Sequence, residues 1–109
     1  MVRHIVFFRI LDELSEENRS ELLNTVKLKL EELPALIPQI RSFEAGINIT
    51  TGPGAAHLSL MSEFDDIKAL EAYQDHPAHK AFVAWNRDKC PKMAVVDYLI
   101  ENSCVAGIL

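Results

Sequence analysis

A chain of 109 residues, 49% apolar and 25% charged, makes one domain, and a domain of this size buries about 65% of the surface its unfolded form exposes. The apolar content excludes a disordered chain. Eleven basic residues against sixteen acidic ones leave a formal charge of −5, with no basic block to follow a phosphate backbone, so nucleic acid is not expected as a partner. No apolar run reaches the roughly 20 residues of a spanning helix, and the start has no basic segment followed by a long apolar core, so a soluble, cytoplasmic protein without a membrane partner is expected. Cys90 and Cys104 are too few and too far apart for a disulfide framework or a metal knuckle, and read as structural thiols.

Arg3 to Ile10 alternates His4, Val6, Phe8 and Ile10 on one face with Arg3, Ile5, Phe7 and Arg9 on the other, a strand with apolar residues on both sides. Ser15 followed by Glu16 and Glu17 opens a helix through capping and the macrodipole. Leu22, Leu23, Val26, Leu30 and Leu33 then recur at helical spacing until Pro34 stops it. Ile40 to Thr50 and His57 to Phe64 alternate as two further strands, joined through Thr51-Gly52-Pro53-Gly54 and expected to pair as a hairpin. That loop connects strands, opens no helix and lacks the Lys of a phosphate cradle. A short helical segment holding Ile67, Leu70 and Tyr73 leads to a helix from Pro77 to about Lys89, on which Phe82 and Trp85 are expected to pack on the sheet. Met93 to Glu101 is a nearly continuous apolar run, as in a strand buried on both faces.

The order strand, helix, strand, strand, helix, strand is the split βαβ pattern of a ferredoxin-like α+β fold: a four-stranded antiparallel sheet with helices on one face, one domain over residues 1–109. Two helices cover one face, yet the first and last strands are apolar on both. A second copy of the same sheet is the economical cover, so a homodimer closing a barrel is expected. The segment Asn102 to Leu109, with Val105, Ile108 and Leu109, is apolar enough to pack on that partner.

The stretch Tyr73-Gln-Asp-His-Pro-Ala-His79 gathers a phenol and two imidazoles around one proline. Pro77 suits the first helical position, with Asp75 or His76 as the cap, and His79 falls in the first turn beside Phe82, Val83 and Asn86, facing a pocket. A metal site from His4, His76 and His79 has suitable ligand types, but no carboxylate or Cys at fixed spacing supports it. No metal and no cofactor are expected.

Several stretches together resemble the stress-responsive dimeric α/β-barrel (Dabb) family over nearly the whole chain. They are Val2-Arg3-His4-Ile5-Val6-Phe7-Phe8, Leu33-Pro34-Ala35-Leu36-Ile37-Pro38 with Ile40-Arg41-Ser42, Ser62-Glu63-Phe64, Leu70-Glu71-Ala72-Tyr73 with His76-Pro77-Ala78-His79, and Val96-Asp97-Tyr98. The resemblance implies a small dimer, whose members range from plant stress proteins to a polyketide cyclase; fold follows from membership more than activity does. His4, Tyr73 and His79 match residues of that cyclase, which implies an apolar cavity binding a small hydrophobic molecule and a cofactor-independent proton transfer, with His79 as base, Tyr73 as oxyanion donor and His4 orienting one of them. Val26 stands where the cyclase has a pocket Tyr, which makes the wall more apolar. His57 lies one residue off a further pocket His, and such a slip turns a strand side chain to the other face. The alternative is a non-catalytic stress-associated protein whose oligomer is its function.

Overall fold

The structure is a computed structural model and describes residues 1–100. The segment from Asn102 to Leu109, with Cys104 and the expected partner contact, lies outside the described residues.

Each of the longer helices starts where a side chain can satisfy a free N–H group. Ser15 accepts from the Asn18 N–H at 3.2 Å, with Glu16 and Glu17 in the first turn of α1 (Glu16–Glu31), which buries Leu23, Val26 and Leu30. Pro34 lies inside a short second piece, α2 (Leu33–Leu36), so it starts a turn of helix as well as ending one. Asp66 caps α3 (Ile67–Asp75) through the Ala69 N–H at 2.8 Å. His76 caps α4 (Pro77–Asn86) by accepting from the Ala78 N–H at 3.0 Å, with Pro77 in the first turn. α4 ends before Lys89 because the Asn86 amide folds back on the chain. Its Nδ2 donates to the Cys90 carbonyl at 2.7 Å and its Oδ1 accepts from the Cys90 N–H at 3.2 Å.

Strands β1 (Val2–Phe8), β2 (Ser42–Ile47), β3 (Leu58–Phe64) and β4 (Lys92–Leu99) form one antiparallel sheet in the order β2-β3-β1-β4. β2 and β3 pair as the expected hairpin. β2 is shorter than the run Ile40 to Thr50, because the Asn48 side chain accepts from the Thr50 N–H and donates to the Ala56 carbonyl, drawing the chain into a turn. Register sets Val2, His4, Val6 and Phe8 beside Phe64, Ser62, Leu60 and Leu58 on the helix side, and these residues with those of α1 and α3 form the core.

The opposite face carries Ile5, Phe7, Met61, Val96 and Tyr98 without a helix over it. At one end Arg3 donates to Glu63 at 2.7 and 3.0 Å and to the Tyr98 hydroxyl at 3.0 Å, linking three strands. The expectation that the last strand is buried on both faces does not hold in the single chain: every residue of β4 is exposed. β4 occupies the sheet edge, beyond the reach of the helices, so its apolar run is a property of the surface.

Candidate functional site

A cavity of about 230 Å³ opens between α3, α4, α1 and the sheet near the β4 edge. Alternation along β1 turns His4, Val6 and Phe8 into it, and the α4 stripe of His79, Phe82, Val83 and Asn86 faces them, as the helical spacing predicts. Tyr73 enters from α3, so His4, far away in sequence, lines the same space as Tyr73 and His79. Val26 does not form its wall. It is fully buried in the core, and Leu30, one helical turn later, supplies the α1 contact.

Tyr73 is 1% exposed and sits among aromatic rings. Its ring centroid lies 5.0 Å from Phe64, 6.4 Å from Phe43 and 6.2 Å from His4. His79 is closest, at 4.5 Å, in a tilted ring contact. Burial alone pushes the Tyr73 phenol well above its ordinary range, so it stays protonated. His79 is half-buried, and its Nδ1 faces the Gln74 carbonyl at 3.1 Å. A carbonyl only accepts, so Nδ1 carries the hydrogen and Nε2 keeps its lone pair in the neutral ring. Burial lowers the His79 pKa, the Gln74 carbonyl opposes that, and the proximity of His4 and Lys92 reinforces the lowering.

His4 is 5% exposed, and its Nδ1 hydrogen-bonds the Asp97 carboxylate. This contact follows from register, since His4 pairs with Asp97 across β1 and β4 and the two share the helix-side face. The carboxylate fixes the tautomer and ring orientation of His4, again leaving Nε2 free. Asp97 is absent from the residues singled out by spacing. Its signal was one acidic residue in the otherwise apolar run Ala94 to Ile100.

Other candidates lie elsewhere. His57 accepts from the Ile10 N–H at 3.0 Å, outside this cavity, and ties the end of β1 to the start of β3. His76 is occupied as a helix cap, and among the described residues no three His, Cys, Asp or Glu side chains are arranged to hold a metal ion. Cys90 is fully buried, which pushes its thiol up to about 11. Trp85 is only partly buried, unlike Phe82: the ammonium groups of Lys29 and Lys89 lie over its ring at 4.9 and 4.6 Å.

A ferredoxin-like sheet with helices on one side and a cavity between the layers defines the class of domain. Residues 2–100 match the family described as the stress responsive A/B barrel domain, Dabb, and the chain belongs to that family. It is 33% identical over 88 residues to an uncharacterised protein of Streptomyces coelicolor, covering 81% of this chain and 89% of that one. A dimeric protein of unknown function with a ferredoxin-like fold from Bacteroides fragilis superposes with a TM-score of 0.79 at 34% identity, covering 91% of this chain and 95% of that one. A hydroxynitrile lyase from Passiflora edulis shares the fold, with a TM-score of 0.73 at 21% identity over 94% of each chain.

Proposed function

We propose that the cavity binds a small hydrophobic carbonyl compound and catalyses cofactor-independent proton transfer at the carbon beside the carbonyl, in the manner of a cyclase or lyase. One observation carries this reading: an imidazole and a phenol meet in ring contact, centroids 4.5 Å apart, on the wall of one apolar cavity. Burial favours the uncharged form of each, so His79 offers a base with a free Nε2 and Tyr73 a hydroxyl with a hydrogen to donate. His79 Nε2 takes the proton from carbon, the C–H pair becomes the carbon–carbon π bond of the enolate while the C=O π pair moves onto oxygen, and the Tyr73 hydroxyl donates a hydrogen bond to that oxygen. Return of the proton completes the exchange. His4, oriented by Asp97, packs edge-on to Tyr73 and positions it.

Deuterium wash-in tests the reading. Small apolar aldehydes and ketones incubated with the protein in deuterated buffer should exchange their α-hydrogens faster than in buffer alone, followed by NMR. His79→Ala should lower the rate about 100-fold or more, and Tyr73→Phe by a smaller factor. Exchange at the buffer rate, or exchange indifferent to His79→Ala, overturns it.

We infer further that the uncovered sheet faces of two copies meet in a homodimer. The face is apolar over Ile5, Phe7, Met61 and Val96, and its charge at Arg3 is already paired with Glu63 and Tyr98, while Glu44, beside Met61 on the β2 edge, is exposed. The dimeric Bacteroides fragilis protein supports a homodimer. Cys90, a free thiol, suits a reducing compartment such as the cytoplasm, and a part in the stress response rests on the family description.

A further inference from the structure

The cavity has a charge balance opposite to that of its chain. Sixteen acidic residues outnumber eleven basic ones overall, yet the cavity lining includes two cations, Arg87 and Lys92, and no carboxylate. Both side chains are exposed at the mouth, and neither takes part in the ion pairs of the described residues, which use Arg3, His4, Arg41 and Lys89.

Arg87 has a local reason for its place, since it follows the last turn of α4, where the helix dipole favours a cation. Lys92 does not. Phe7 pairs with Ala94, but Phe8 pairs with Lys92, so Met93 is an extra residue in β4. Without that bulge Met93 would oppose Phe8 and face the cavity; with it Lys92 does. The backbone around Lys92 is held in place. Arg9 N–H donates to the Pro91 carbonyl and Leu11 N–H to the Lys89 carbonyl, each at 3.1 Å, while Asn86 grips Cys90. A register irregularity thus swaps an apolar side chain for a cation at the mouth of an apolar cavity.

We propose that the cavity takes an amphiphilic carboxylate, with an apolar body among Val6, Phe8, Leu30, Leu60 and Phe82 and its carboxylate held at the mouth by Arg87 and Lys92. This rests on the reading of the cavity as a ligand site. The volume of about 230 Å³ exceeds the roughly 150 Å³ that accommodates benzene in an engineered cavity, which leaves room for a medium alkyl chain or a substituted ring. Its mouth also concentrates anions against the repulsion of a chain of charge −5.

The test compares octanoate with 1-octanol, equal in chain length and different in charge, by titration calorimetry at low and high salt. The expected result is at least tenfold tighter binding of octanoate at low salt, a preference that shrinks as salt rises. The double substitution Arg87→Gln/Lys92→Gln should abolish the preference while leaving octanol affinity unchanged. Val83→Trp, at the half-open wall, should weaken both ligands and so place them in this cavity. Equal affinities in the unaltered protein, or a preference that survives the double substitution, overturns the proposal and leaves the cavity free to bind neutral ligands; binding indifferent to Val83→Trp overturns it by placing both ligands elsewhere. Failure of both ligands to bind defeats the ligand-site reading together with it.

Discussion

The two faces of the sheet are built from the same kinds of residue and meet different fates. On the helix side Val6, Phe8, Leu60 and Phe64 are buried by α1, α3 and α4. On the other side Phe7, Val96 and Tyr98 stay at 37, 50 and 40% exposure. Alternation along a strand shows that both faces are apolar; it does not show what covers each. The helix side therefore carries the stability of the single chain. The open side adds nothing to that stability until a second surface arrives, which is the role proposed for it in the homodimer.

The largest effect is expected where the covered face is densest. Phe64 is 0% exposed and packs 5.0 Å from Tyr73, so Phe64→Ala should cost about 3–5 kcal/mol and lower Tm by roughly 12 °C or more, measured by thermal circular dichroism. A loss below about 1 kcal/mol would remove the distinction between the faces. Val96→Asp tests the other side. Burying unpaired carboxylates there should weaken self-association by roughly a hundredfold, about 3 kcal/mol, and move the mass in light scattering toward the 12.3 kDa of one chain, with near-ultraviolet dichroism unchanged. A mass that does not respond would mean that this face is not the interface.

A smaller effect sharpens the comparison within the covered layer, where burial holds His79 below its ordinary value of 6.5. An unfolded histidine takes up a proton near pH 6.5, and folded His79 resists it until lower pH. The unfolded chain thus binds more protons in that window, and stability falls as pH drops from about 6.5 through the folded value. His57 is lowered as well, chiefly by burial, and adds to the slope in the same direction. Urea midpoints should therefore decrease from pH 7.5 to pH 5.5, and His79→Gln should flatten part of that decrease. A midpoint that rises on acidification would contradict the burial assigned to His79.

The local chemistry of this chain was legible in its sequence. Ser15, His76 and Pro77 announce helix starts because a cap acts on N–H groups two or three residues away, and the alternation of His4, Val6 and Phe8 assigns faces because a strand has a period of two. Spacing also brought His79, Phe82, Val83 and Asn86 onto one stripe. What tertiary structure alone decided depends on contacts between distant segments. Register joined His4 to Asp97, a bulge turned Lys92 toward the cavity, the fold made Leu30 rather than Val26 its wall, and the edge position of β4 exposed a run that reads as core. Sequence spacing encodes which face a side chain takes along its own element; which neighbour it meets there is set by how the elements pack.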